Sequence, residues 1–213
     1  MTTARCIETM AADMTCEQFC LTVTERTAAL YDSRQKAAMA RKPHLRSTAS
    51  AIVYSRYRNE IWMIGDCQCI VDGQLYTNEK PEERHIAHER ARFIRDAINR
   101  QLYTPDELAR HDYGRDHIHD RLVEATRGQN RDFAVIDGFS IPLRHIRIIP
   151  GGREMVLASD GYPYLYGTLD ESERRLARLM ADDPLCIDLY QATKGRMYGY
   201  NSFDDRSYIR FER

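Results

Sequence analysis

Apolar positions along this chain recur with two different periods, and the alternation of those periods predicts its elements. Thr15-Cys16-Glu17-Gln18 has the form of a capping box, and Phe19, Cys20, Val23, Thr27, Leu30 and Tyr31 follow at helical spacing. A basic, Pro43-containing stretch from Arg41 to Thr48 breaks that pattern. Period two then takes over. Ser50 to Tyr57 and Glu60 to Ile64, rich in Val, Ile, Tyr and Trp, predict two strands around a tight Arg58-Asn59 turn. Cys69-Ile70-Val71, Asp72-Gly73 and Gln74-Leu75-Tyr76 predict a second hairpin.

The helical period returns over Glu82 to Arg100, with Pro81 near its start. Thr104-Pro105-Asp106-Glu107 opens a short helix, and Ile118 to Thr126 reads as another. Strands are expected at Phe133 to Ile136, His145 to Ile149 and Glu154 to Ala158. One helix is expected from Thr168-Leu169-Asp170-Glu171 and a second after Asp183-Pro184, with Ser207 to Phe211 as a closing strand. Strands cluster in hairpins rather than alternating singly with helices, so the expectation is an α+β fold of layered antiparallel sheets. Neither GxGxxG nor GxxxxGK[ST] occurs, which argues against a doubly wound nucleotide-binding fold. Residues 1–213 read as one domain.

Composition narrows the class. With 213 residues, 43% hydrophobic and 30% charged, the chain is long and apolar enough to bury a core. Lys+Arg number 31 against Asp+Glu 32, which argues against nucleic acid or an anionic membrane as the main partner. There is no apolar run of membrane-spanning length and no signal-peptide pattern after Met1, so a cytoplasmic protein is expected. The six cysteines form no CxxC and read as reduced, buried thiols.

Three aspartates share a local context. Asp66 follows Trp62-Met63-Ile64-Gly65, Asp160 follows Met155-Val156-Leu157-Ala158-Ser159, and Asp204 precedes the last strand in Ser202-Phe203-Asp204-Asp205-Arg206. Carboxylates at strand ends sit on rigid elements where they can converge, and hard cations such as Mg²⁺ and Mn²⁺ take such oxygen ligands. An aspartate after a strand is also an ordinary turn residue. The words around the three, Ile-Gly-Asp66-Cys-Gln, Leu-Ala-Ser-Asp160-Gly-Tyr and Phe-Asp204-Asp205-Arg-Ser, occur in that order. Together they resemble the GDSR, SDG and D[ND]xT motifs of the PPM (PP2C-type) metal-dependent protein phosphatases, over roughly residues 15 to 213.

That resemblance implies a sandwich of two β-sheets between layers of helices and a two-metal site using Mn²⁺ or Mg²⁺. It implies metal ligands at Asp160 and Asp204, with Asp66 as an accessory ligand, and hydrolysis of phosphoserine or phosphothreonine esters in a phosphoprotein. The departures are as specific. The family opens with an acidic motif and a DGHGG motif whose aspartate bridges both metals, and nothing matching either precedes Asp66. A piece of about forty residues would carry both. The expectation is therefore either a shortened form of a longer protein or a chain lacking half of its metal site. Ile136-Asp137-Gly138-Phe139 resembles a strand-DG unit but comes after the GD motif and reads as a turn, and Cys67 and Gln68 stand where the family has Ser-Arg.

Two functions follow as alternatives: a phosphatase, or a catalytically silent PPM-like module that binds a (phospho)protein. An unrelated α+β protein with coincident motifs is a third reading. Tyr162 and Tyr164 either wall the site and contact substrate or pack the strand-to-helix connection. The cluster from His111 to Asp120 has imidazoles and carboxylates but no ligand spacing, and Arg90, Arg92, Arg95 and Arg100 read as surface helix pairing. Cys67 would be a nucleophile only with a depressed pKa. Absent N-terminal strands would leave a sheet edge that either pairs in a homodimer or is covered by the N-terminal helices.

Overall fold

The computed structural model describes residues 2–213. Strands β1 (Ala51–Ser55) and β2 (Glu60–Ile64) pair antiparallel with Ser55 opposite Glu60, so the connection is four residues long rather than a two-residue turn. Asn59 closes it at φ 54° and its Nδ2 donates to the Gly151 carbonyl at 2.9 Å, which ties this loop to a second turn. In β3 (Gln68–Val71) and β4 (Gln74–Thr77) the two-residue turn is present, with Asp72 at φ 48° and Gly73 at φ 83°. Positive φ at both central residues matches the right-handed strand twist.

β5 (Arg147–Pro150) pairs with β2, β6 (Glu154–Ala158) with β3, and β7 (Tyr208–Glu212) with β6, all antiparallel. The sheets are ordered β1-β2-β5 and β4-β3-β6-β7. The chain passes from one sheet to the other after β2, at Gly65-Asp66, and after β5, at Gly151-Gly152.

Side-chain alternation explains the layers. Ile61 and Met63 point to one face of β2 and pack with Ile149, Cys69, Met155 and Leu157 to fill the space between the sheets. Trp62 and Ile64 point the other way, with Val53, onto Phe19, Cys20 and Val23 of α2 (Cys16–Ala28). On the far side Ile70, Val156 and Ala158 meet Leu176 of α8 (Leu169–Asp182). The class is α+β, helix layer on two antiparallel sheets on helix layer, and β2 is a continuous apolar run because both its faces are buried.

The expected capping boxes are complete at two of three starts, Thr15 with Gln18 at α2 and Thr104 with Glu107 at α5 (Pro105–Arg110), while at Thr168 the side chain caps the Glu171 N–H without the reciprocal bond. Helices α1 (Thr2–Thr9) and α3 (Ser33–Arg41) extend the N-terminal part beyond the expected single helix. α1 and α2 contribute to the core over the face of β1-β2-β5, so it is a face that they cover. α4 (Glu83–Asn99) matches its expected span, and α6 (Tyr113–His117) and α7 (His119–Ala125) follow α5.

Three expectations are corrected. Residues 133–136 make isolated bridges, Ala49 to Ile136 and Gln129 to Phe133, in place of a strand. The segment after Asp183-Pro184 is a loop, because the buried Asp183 carboxylate accepts the N–H groups of Ile187 (3.0 Å), Asp188 (2.9 Å) and Leu189 (2.8 Å), which a helix would spend on carbonyls. Arg90 is no surface pairing residue. It is wholly buried, its Nη2 2.7 Å from Asp112 Oδ2, with Nη1 donating to the carbonyls of Leu185 and Ala192 at 3.0 and 3.1 Å. The Asp137-Gly138 turn is present, with Gly138 at φ 82° and buried Asp137 paired to Arg46 at 2.9 Å.

Candidate functional site

Asp66 leaves β2 at the crossing between sheets, after Gly65 at φ 86°. A side chain at residue 65 would collide with Ser50, so glycine lets the turn close against the start of β1. Ser50 Oγ donates to Asp66 Oδ1 at 2.5 Å, and the Lys80 ammonium pairs with Asp66 Oδ2. Lys80 lies in the linker from β4 to α4, and Asn78 ties that linker down by donating to the Gly65 carbonyl at 2.7 Å.

Asp160 leaves β6 in the second sheet. Its turn is held by Gln68, whose buried Nε2 donates to the carbonyls of Ser159 (3.0 Å) and Tyr162 (2.6 Å). Ser207 N–H donates to Ser159 Oγ at 3.0 Å, which brings the approach to β7 alongside. A Cβ on Gly161 would collide with the Asp205 carbonyl, so the glycine permits the contact that sets Asp204-Asp205 beside Asp160. Asp204 Oδ2 is 2.7 Å from Lys194 Nζ.

The three aspartates thus meet at one end of the sandwich. They line a cleft of about 700 Å³ with Ser50, Lys80 and Glu83, and they also line an adjoining one of about 550 Å³. Acidic groups outnumber basic ones there. Partial desolvation in the cleft, then the charges of Asp66 and Asp204, raise the Asp160 carboxyl to about 6. Burial would also raise Asp66, but the Lys80 charge and the hydrogen bonds from Lys80 and Ser50 outweigh it and hold the carboxyl low. Burial raises Glu83 despite Lys80. Burial, then Asp66 and Asp160, push the Cys67 thiol up to about 12, so it is a poor nucleophile at neutral pH.

Carboxylates have the right chemistry for a hard divalent cation. Their arrangement does not fit a two-metal centre: Asp66 and Asp204 each already hold a lysine. Among the described residues no group of three or more His, Cys, Asp or Glu side chains could hold a metal ion. That statement covers the His111 to Asp120 region, where His111 pairs with Asp116 at 2.6 Å, His117 stacks on Phe93, and Asp112 is taken by Arg90.

Both tyrosines stand at or next to the smaller cleft. Tyr162 is buried, edge-on to Tyr208, with its hydroxyl 2.6 Å from Glu173 Oε1, and it borders the smaller cleft. Tyr164 is edge-on to Tyr190 and its hydroxyl donates to the Leu189 carbonyl, two residues that line the smaller cleft, with the Arg175 guanidinium over its ring. Sequence reasoning missed Lys80, Lys194, Ser50 and the bracing by Gln68. Lys80 and Lys194 sit in polar stretches with no periodic signal, Ser50 and Gln68 stand at the starts of strand segments, and the pairing of all four follows only from the crossing of the sheets.

No family model matches the sequence, and no curated protein does. Among solved structures, the chain is similar to the catalytic domain of the serine/threonine protein phosphatase PstP in complex with two manganese ions, with 15% identity and a TM-score of 0.33. The match covers 83% of this chain, which spans 65% of that one. No helix among the described residues is long and apolar enough to cross a membrane.

Proposed function

We propose that this chain is a PPM-like phosphatase domain, with Asp66, Asp160 and Asp204 forming its phosphoester site and phosphoserine or phosphothreonine of a protein as the substrate class. One observation carries the reading: aspartates from three distant turns, in the order of the family's motifs, converge on one acid-rich cleft. Mn²⁺ or Mg²⁺ is the cofactor the reading implies, and Asp66, Asp160 and Asp204 are the carboxylates that would have to hold it. Lys80 and Lys194 would have to leave the carboxylates first. The chain's own contribution is positional: Gln68 and Gly161 hold the Asp160 turn, and Ser50 orients Asp66.

The same two ion pairs favour a second reading, the catalytically silent module that binds a protein partner. Hydrolysis of an aryl phosphate with millimolar Mn²⁺ separates the two, measured on the parent and on Asp160→Asn. Metal-dependent turnover lost in Asp160→Asn is the expected result. A folded parent without turnover overturns the phosphatase reading and leaves the silent module.

A further inference from the structure

We infer that Lys80 and Lys194 are tethered counter-cations of the aspartate cleft, holding the carboxylates that a divalent ion would otherwise take. The inference rests on reading the cleft as a cation site. Both ammonium groups are in direct contact with carboxylate oxygens, and both are largely shielded, with side-chain exposures of 33% for Lys80 and 36% for Lys194. The Asp66 side chain is only 8% exposed, so without a cation beside it a charged carboxylate would sit poorly solvated. Lys80 is also within electrostatic reach of Asp160 and Glu83. One ammonium therefore serves several carboxylates, as a metal ion would, but delivers a single charge and no open coordination position.

The two lysines are mounted on different segments. Residues flanking Lys194 are pinned: Arg115 Nη1 donates to the Thr193 carbonyl at 3.1 Å, and Gly195 N–H donates to Asp112 Oδ2 at 3.2 Å. Lys80 stands on the inter-element linker beside Pro81. That linker is itself tied down by Asn78, which donates to the Gly65 carbonyl at 2.7 Å, so the backbone beside each lysine is held in place.

The test measures Mn²⁺ itself. Free Mn²⁺ is titrated by electron paramagnetic resonance against the parent, Lys80→Met, Lys194→Met and the double variant, and the Mn²⁺-induced change in Tm is recorded for each. Removing a unit positive charge beside the carboxylates should tighten Mn²⁺ binding at least about tenfold. A Mn²⁺-dependent rise in Tm should appear in the variants and be absent or much smaller in the parent. Adding Asp66→Asn to Lys80→Met should erase the gain. Where Lys80→Met does not fold, Lys80→Gln keeps a hydrogen bond to Asp66 without the charge and carries the same expectation. A parent that binds Mn²⁺ as tightly as the variants, or variants that gain nothing, overturns the inference. Hydrolysis on the same proteins separates this outcome from the phosphatase reading. A parent that binds tightly and hydrolyses sinks the inference alone, whereas variants that bind and do not hydrolyse sustain it and count against the phosphatase.

Discussion

Replacing Arg90 with methionine should be among the most damaging single changes outside the cleft. Arg90 is wholly buried on α4, and its Nε and Nη2 engage both oxygens of Asp112 at 2.7–3.1 Å. Its Nη1 donates to carbonyls of the 183–196 loop, at Leu185 and Ala192. Methionine fills much of the stem volume, so the loss is electrostatic rather than a cavity. Asp112 keeps the N–H groups of Arg115 and Gly195 but loses its only side-chain cation among the described residues. Breaking a buried pair from one side costs about 3–5 kcal/mol, and the backbone donors that remain place this case near 4 kcal/mol. For a chain of this length that is a fall in Tm of roughly 8–16 °C. Guanidinium unfolding followed by the fluorescence of buried Trp62, the single tryptophan, measures it. Asp112→Asn and the double variant complete a cycle, with a coupling of about 2 kcal/mol or more expected. An Arg90→Met protein within about 1 kcal/mol of the parent, or strict additivity, would refute the assignment of the pair as the brace of this lobe.

Asp160 predicts a pH dependence. Its carboxyl ionises near 6 in the folded chain against 3.8 unfolded, so the folded state holds a proton that the unfolded state has released between those values. The stability it contributes is full below pH 3.8 and lost as pH rises through 6. Asp160→Asn should therefore gain in Tm relative to the parent at pH 8 and not at pH 4, by about 1 kcal/mol or less given solvent screening; a gain confined to low pH would contradict the sign. Cys67 should resist iodoacetamide at pH 7.5 in the folded protein and react once unfolded, and rapid labelling mapped to Cys67 by mass spectrometry would count against its burial. Gly161→Ala should destabilise by about 1–3 kcal/mol because its Cβ meets the Asp205 carbonyl, and a neutral effect in urea unfolding would deny that contact.

Much of the fold was legible because it is written locally. The Asp72-Gly73 turn, the capping boxes at Thr15 and Thr104 and the apolar run of β2 carry their own signals, and the elements formed where those signals stand. What escaped depends on distant partners. Phe133 to Ile136 has strand composition but finds only isolated bridges, to Ala49 and Gln129, and the segment after Pro184 is organised by one buried carboxylate rather than by helical bonds. Arg90 looks like any helix arginine until Asp112 and two loop carbonyls surround it. In the cleft, the aspartates were marked by their neighbours in sequence. The lysines that neutralise two of them were not, since an ion pair between residues 66 and 80 or 194 and 204 leaves no periodic trace.

The passage of the chain between the sheets also dictates when the cleft comes into being during folding. Its three carboxylates belong to turns braced by contacts such as Gln68 to Tyr162, 94 residues apart, and Ser159 to Ser207, 48 apart. No local segment can assemble that geometry, so the cleft belongs to the late, high-contact-order part of the reaction. Its amides at Ser159 and Ser207 should accordingly exchange with solvent only through openings that separate β6 from β7, as one cooperative unit. Excised hairpins would keep their turns yet carry three unrelated aspartates, and cation affinity would be a property of the completed sandwich.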